Sequence, residues 1–246
     1  MKILVSIYIW FFYGLSFAFS IIFAFLVFLV TFPFDKHRKA PNAVMMTFGQ
    51  SMVWLNPMWK IHHINLDKLK KGPKGKLYVS NHQSFIDMPL LATMPVNLKW
   101  LSKKELFKIP VAGWLMKICG HISVDRQSKT AYKALENIVE PIKSGVSVMI
   151  FPEGTRSRIG KMKPFKKGAF YAAKDNDFVI QPVLVEGAYK LLPPDTWIMN
   201  PKGNLYISAL DPVDSKDFDS VESLLEHVHK IMLEESLRLQ ALDIQS

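Results

Sequence analysis

Two short segments carry the residue types that chemistry needs. The first is Asn81-His82-Gln83-Ser84-Phe85-Ile86-Asp87. An imidazole titrates near neutral pH and serves as a general base. A carboxylate on its other nitrogen fixes the tautomer and stabilises the imidazolium that forms. On one straight helix, side chains with the spacing of His82 and Asp87 diverge by about 140°. The pair therefore requires a turn, which Gln83-Ser84 ahead of a helix start supplies. A plainer reading is that Asp87 or Ser84 only caps that helix. Ser84 as a nucleophile lacks a G-x-S-x-G setting.

The second segment is Phe151-Pro152-Glu153-Gly154-Thr155-Arg156-Ser157. The proline ends a strand and Gly154 permits a tight turn. Thr155, Arg156 and backbone N–H groups can then converge on an oxyanion. Arg156 offers a two-pronged donor for phosphate. Glu153 is suited to orienting a hydroxyl or the arginine. An ordinary polar loop is the plainer alternative. Lys103-Lys104 and the run from Gly120 to Arg126 place further cations just past strands, where solvated charges are also common. The His and acidic residues lack ligand spacing, so no metal is expected. Cys119 is the only cysteine, which excludes an intramolecular disulfide. Its apolar neighbours make it a packing residue.

These segments need a scaffold that presents strand ends. Residues 76–80, 98–102, 121–124, 146–151, 178–185 and 205–210 read as strands, several without polar alternation, as in sheets covered on both faces. Helical periodicity covers 128–144, with Ala131, Leu135, Ile138 and Ile142 on one stripe and Pro141 weakening the last turn. It also covers 168–174 and 221–242, the last with Asp219 and Glu222 as a capping box. The expected fold is α/β: a mostly parallel central sheet covered by helices, with an N-terminal membrane-embedded helical segment.

That segment, residues 3–34, contains no charged residue. As one helix it would be roughly 48 Å long, against a hydrocarbon core of about 30 Å. It either spans with strong tilt or turns back near Gly14 or Ser16. It is too long for a signal-peptide core, and no small-x-small cleavage site follows it. Lys36, His37, Arg38 and Lys39 follow at once, which places the rest of the chain on the cytoplasmic side. Residues 43–55 form a second apolar stretch. It is either an interfacial helix, with Trp54 and Trp59 at headgroup depth, or a core helix. The organisation is a membrane-anchoring helix or hairpin over 1–35, an interfacial helical segment over 36–60 and an α/β domain over 61–246. The 246 residues carry 31 Lys+Arg against 21 Asp+Glu, a net charge of +10, which favours an anionic partner.

Taken together, the motifs resemble the glycerolipid acyltransferases, and among these the 1-acyl-sn-glycerol-3-phosphate acyltransferases. Asn81, His82 and Asp87 match the N-H-x-x-x-x-D element. Lys103, Glu105 and Leu106 match K-x-E-L. Gly120, Ile122, Asp125 and Arg126 match G-x-I-x-x-D-R, and residues 151–157 match F-P-E-G-T-R-S in full. Val179 to Val183 resembles the final proline-bearing element, most loosely because Gln181 is polar within a buried strand.

The resemblance implies an O-acyltransferase of phospholipid biosynthesis that converts lysophosphatidic acid to phosphatidic acid. It implies His82 and Asp87 as the catalytic pair and a phosphate seat of Arg156 with Lys103 and Arg126, its floor shaped by Glu153 and Gly154 beside Thr155. It implies no cofactor beyond the acyl-CoA or acyl-carrier-protein thioester. Lys161, Lys163, Lys166 and Lys167 would face anionic membrane lipid, an acidic acyl-carrier protein or the phosphates of coenzyme A, a plain solvated loop being the alternative, and nucleic acid is not expected. Three alternatives remain at this level. One is acylation of another lysolipid or of glycerol 3-phosphate. The others are a non-catalytic membrane-anchored lipid- or nucleic-acid-binding protein, and a serine hydrolase using Ser84.

Overall fold

A computed structural model describes residues 2–124 and 133–245. The chain opens with α1 (Lys2–Thr31), which is long and apolar enough to cross a membrane. A short linker leads to α2 (Lys39–Trp54), which runs back along α1. The Asp35 carboxylate accepts from the Ala40 N–H at 2.7 Å and satisfies one free donor of the first turn. Pro41 sits in that turn, where a missing N–H costs nothing.

The strands follow as β1 (Trp59–Ile64), β2 (Leu77–Ser80), β3 (Leu98–Lys103), β4 (Ile122–Val124), β5 (Ser147–Ile150), β6 (Val179–Glu186), β7 (Gly203–Ala209) and β8 (Val213–Asp214). They form one sheet ordered β1-β7-β6-β2-β5-β3-β4, with β8 also on β6. All pairings are parallel except those of β6 with β7 and β8. The strands alternate with α3 (Asp87–Leu91), α4 (Ala112–Ile118), α5 (Val139–Lys143), α6 (Gly168–Asp175), α7 (Ala188–Leu191) and α8 (Val221–Gln245).

Side chains of each strand divide between two cores. Tyr78 and Met149 point into a layer with α2, α3 and α7, whereas Leu77, Val79, Val148 and Ile150 point into a layer with α5, α6 and α8. The mostly parallel sheet expected from the apolar runs is present, buried on both faces.

Several expectations need correction. β1 lies partly inside the stretch read as an interfacial segment. Trp59, expected at headgroup depth, is buried in β1, where its Nε1 donates to the Asn200 carbonyl at 3.0 Å. Of the two readings of residues 43–55, one face of α2 meets the core reading, since Met46 and Val53 are buried and Gln50 bonds the Ala92 carbonyl, whereas Trp54 on another face is exposed. The stripe over 128–144 is not one α-helix. Lys133–Ile138 is a 3-10 turn, and α5 starts at Val139 so that Pro141 falls in a first turn. Ala131 lies outside the described residues. The capping box of α8 is not Asp219 with Glu222. The Ser220 hydroxyl accepts from the Ser223 N–H at 3.0 Å, and the Ser220 N–H donates back to Ser223 Oγ at 3.3 Å. Glu222 instead pairs with Lys167.

Gln181 explains its own polarity. It is fully buried beside the gap between β7 and β8 and donates to the Leu210 carbonyl at 2.7 Å. Its oxygen accepts from Lys76, itself buried and also bonded to the Leu69 carbonyl. A side chain thus fills in where the ladder is interrupted.

Candidate active site

The parallel strands β4, β3, β5 and β2 end at one edge of the sheet, the usual location of ligand sites in such folds. Residues 81–87 leave β2 there, residues 151–157 leave β5, and Lys103 ends β3. Asn81 joins the first loop to the sheet. Its side chain donates to the Val185 carbonyl at 2.8 Å and accepts from the Val185 N–H at 2.9 Å, mimicking one more residue of strand pairing.

The chain then turns irregularly, and α3 begins at Asp87. This turn closes the five-residue spacing: His82 Nδ1 lies 2.7 Å from Asp87 Oδ2. The same oxygen accepts the Gln83 and Ser84 N–H groups at 2.7 and 2.8 Å. One carboxylate oxygen therefore shapes the turn and holds the ring, while Asp87 Oδ1 is buried without a partner among the described residues. With Nδ1 donating to the carboxylate, Nε2 carries the lone pair. The His82 side chain is 18% exposed, so the ring is neither sealed inside nor loose on the surface. It stacks on Phe151, with centroids 4.1 Å apart, and Phe151 stacks in turn on Trp100.

The loop after β5 grips the His82 backbone from both sides. Glu153 Oε1 accepts the His82 N–H at 2.9 Å, and the Ser157 N–H donates to the His82 carbonyl at 2.8 Å. Glu153 Oε2 accepts from the Lys163 N–H at 3.1 Å. Glu153 is thus turned toward backbone donors, whereas its type allowed a hydroxyl or the arginine as partner. Burial raises its pKa, and the bonds from His82 and Lys163 offset part of that rise. Gly154 makes the turn at φ +77°, and a Cβ there would meet Lys166 Nζ at 3.0 Å. Thr155 and Arg156 are exposed on the loop. Lys163 Nζ reaches Thr155 Oγ1 at 2.5 Å and the Arg156 carbonyl at 3.3 Å.

Lys103 is exposed, and Arg126 lies outside the described residues, as does Asp125. Ser84 is fully buried with its hydroxyl committed to the Leu192 carbonyl, which removes it as a nucleophile. Cys119 is buried and its thiol is pushed up to about 12 by burial. Ser157, Phe151 and Asn81 support the imidazole, although residue type alone had not marked them as site residues. Their only sequence signal was membership of the same motifs.

An apolar slot of about 260 Å³ lies beside the site. Phe85, Met88 and Trp100 line its near side, and Met46, Ala112 and Leu115 line it deeper in.

The sequence profile described as Acyltransferase matches residues 60–186. The chain belongs to the acyltransferase family. This acyltransferase is 32% identical over 187 residues to a chloroplastic 1-acyl-sn-glycerol-3-phosphate acyltransferase of Arabidopsis thaliana, covering 76% of this chain and 52% of the relative. It is 32% identical over 171 residues to a 1-acyl-sn-glycerol-3-phosphate acyltransferase of Saccharomyces cerevisiae, covering 65% and 55%. The chain spans about half the length of these relatives. The crystal structure of the 1-acyl-sn-glycerophosphate acyltransferase PlsC from Thermotoga maritima superposes with a TM-score of 0.80 at 26% identity, covering 98% of both chains.

Proposed function

We propose that this acyltransferase moves a fatty acyl group from an acyl thioester to the 2-hydroxyl of 1-acyl-sn-glycerol 3-phosphate, giving phosphatidic acid. The observation that carries this reading is the His82–Asp87 pair, with Nδ1 anchored at 2.7 Å and Nε2 left to act at the sheet edge. Nε2 takes the proton of the acceptor hydroxyl as its oxygen attacks the thioester carbonyl carbon. The tetrahedral intermediate collapses with cleavage of the C–S bond, and the imidazolium returns its proton to the departing thiolate. Asp87 stabilises the transient positive charge on the ring. General-base assistance of this kind is typically worth about 10²–10⁴-fold. No acyl-enzyme is needed, in keeping with the buried Ser84 and Cys119.

Arg156, with Lys103 and Arg126, supplies the cationic seat for the acceptor phosphate, and the apolar slot takes a fatty chain. The donor is a coenzyme A or acyl-carrier-protein thioester, and no other cofactor takes part.

The membrane seat follows from how α1 is fastened. Its inner face carries Ser6, Ile9, Tyr13, Ser16, Ser20 and Ala24, all buried. Ser6 accepts from the Met199 N–H, Trp10 donates to the Trp197 carbonyl, and Ser16 bonds Ser51 of α2. The buried face, from Ser6 to Ala24, runs over about 27 Å of helix, and these bonds hold about 15 Å of it. A span that left the domain behind would break them. The outer face instead exposes Leu4, Phe11, Leu15, Phe19, Phe23 and Leu26. This acyltransferase sits with that face in the cytoplasmic leaflet and the site at the interface. Its substrate then stays in the lipid, where each CH₂ would cost about 0.8 kcal/mol to expose.

The test is an assay of the purified protein with lysophosphatidate, other lysolipids and glycerol 3-phosphate, using both thioester donors, with products identified by mass. Phosphatidic acid from wild type and none from His82→Ala is the expected result. Substantial turnover by His82→Ala would defeat the mechanism, and a preference for another acceptor would defeat the substrate assignment.

A further inference from the structure

A second cleft, of about 440 Å³, opens beside the α1–α2 linker. Arg38, Lys104, Lys108 and Lys117 line it together with Phe107 and Ser123, and among the described residues none that line it is acidic. Lys108 and Lys117 have no ion-pair partner among the described residues. Arg38 is fixed in place: its guanidinium donates to the Lys117 carbonyl and lies 5.3 Å over the Phe28 ring. Like charges gathered this way repel unless an anion joins them. Of the residues assigned to the acceptor phosphate, the two that are described, Lys103 and Arg156, do not line this cleft.

The segment between these cations is apolar and turned outward. Leu106, Ile109, Val111 and Trp114 are 40%, 47%, 40% and 59% exposed. Its shape is set by the backbone. Val111 occupies the centre of a γ-turn at φ 67° and ψ −60°, closed by a bond from the Ala112 N–H to the Pro110 carbonyl at 2.7 Å. A β-branched residue is strained there. Gly113 packs so closely on the Phe107 carbonyl that a Cβ would lie 2.3 Å from its oxygen. The inner side of the segment is tied to α1, since Leu115 packs with Ala24 and Cys119. The segment that carries the apolar ridge thus packs directly against α1.

We propose that this cleft seats the phosphate of a resident anionic phospholipid, with the Leu106–Trp114 ridge inserted among the neighbouring chains. The segment is then a membrane contact additional to α1, and it rests on the membrane seating given above. Two features favour this occupant: among the described residues the cleft's lining is cationic and holds no carboxylate, and the exposed ridge beside it is carried on a segment packed against α1.

The experiment measures binding of the full chain to phosphatidylcholine vesicles and to the same vesicles doped with phosphatidylglycerol. Lys108→Ala/Lys117→Ala is compared with wild type and with Lys70→Ala/Lys230→Ala, which removes equal charge from exposed positions elsewhere. The cleft variant should match wild type on neutral vesicles and bind doped vesicles about thirtyfold more weakly, at about 1 kcal/mol per lysine. Equal losses in both double variants would show a diffuse charge effect and overturn the site. An unchanged affinity for doped vesicles with a raised KM for the soluble thioester donor would assign the cleft to the donor and overturn it too. Failure of wild type to bind neutral vesicles would remove the seating of α1, and the proposal with it.

Discussion

The backbone N–H of His82 donates to Glu153 Oε1 at 2.9 Å across 71 residues of sequence. This one bond couples the loop that holds the proposed base to the loop that carries the proposed phosphate ligand. With the Ser157 N–H on the His82 carbonyl, it ties the two motifs directly to each other.

Glu153→Gln tests that coupling. A glutamine retains one acceptor oxygen, but its NH₂ would face either the His82 or the Lys163 N–H, both donors. A donor facing a buried donor costs about 1–3 kcal/mol. The expected result is a fall in kcat of roughly 10- to 100-fold, the same loss read as a barrier, with little change in either KM. An increase confined to KM for the acceptor would show that Glu153 contacts substrate instead.

Asp87→Asn tests the anchoring of the ring. The amide oxygen can keep the bonds from Gln83 and Ser84, so the turn should survive. That oxygen is also the one facing His82 Nδ1, so the NH₂ takes the place of Oδ1 and the ring keeps its bond to a neutral acceptor. What is lost is the negative charge that stabilises the imidazolium as Nε2 takes the proton. A loss of about 10²–10⁴-fold in kcat is expected at unchanged melting temperature. Activity within a few fold of wild type would reduce Asp87 to a turn-forming residue.

Much of this site was legible in sequence because its parts are local. The five-residue spacing demanded a turn, and Gln83-Ser84 provided one. The flat apolar runs at 76–80 and 146–151 told of strands covered on both sides. What stayed hidden depends on distant partners. Trp59-Lys60-Ile61-His62-His63-Ile64 shows no strong apolar pattern, and β1 exists because β7 offers it a parallel edge. Lys76 and Lys99 look like surface lysines, yet both are 2% exposed. Their ammonium groups end on carbonyls contributed by other segments. The partners of Glu153 are hidden for the same reason, since they are backbone donors that residue type cannot announce.

Arg156→Ala addresses the phosphate seat. Arg156 is exposed on its loop, and its own carbonyl, not its guanidinium, is what Lys163 holds. Truncation should leave the fold and the His82 geometry intact. KM for lysophosphatidate should rise by about tenfold or more, as for loss of a charge-assisted bond worth about 1.5–3 kcal/mol, while KM for the thioester stays put. A selective donor defect would mean that the acceptor phosphate is bound elsewhere.

Lys99 gives a prediction in pH. Burial lowers its pKa from 10.5 to about 8, and its Nζ donates to the carbonyls of Arg38 and of Cys119, the residue that closes α4. Between pH 8 and 10.5 the unfolded chain holds a proton on this lysine that the folded chain has released. Stability attributable to Lys99 therefore rises with pH across that window, and the cost of charging it is present in full below pH 8. Lys99→Met removes this term but leaves two carbonyls without a donor, at about 1–3 kcal/mol each when buried. Urea unfolding of both proteins at pH 7.5 and pH 10 separates the two effects. The variant should be less stable at both values, and the gap should widen at the higher pH, because only wild type gains there. A gap that stays constant would mean that Lys99 remains charged across the window, held by its carbonyl partners against the pull of burial.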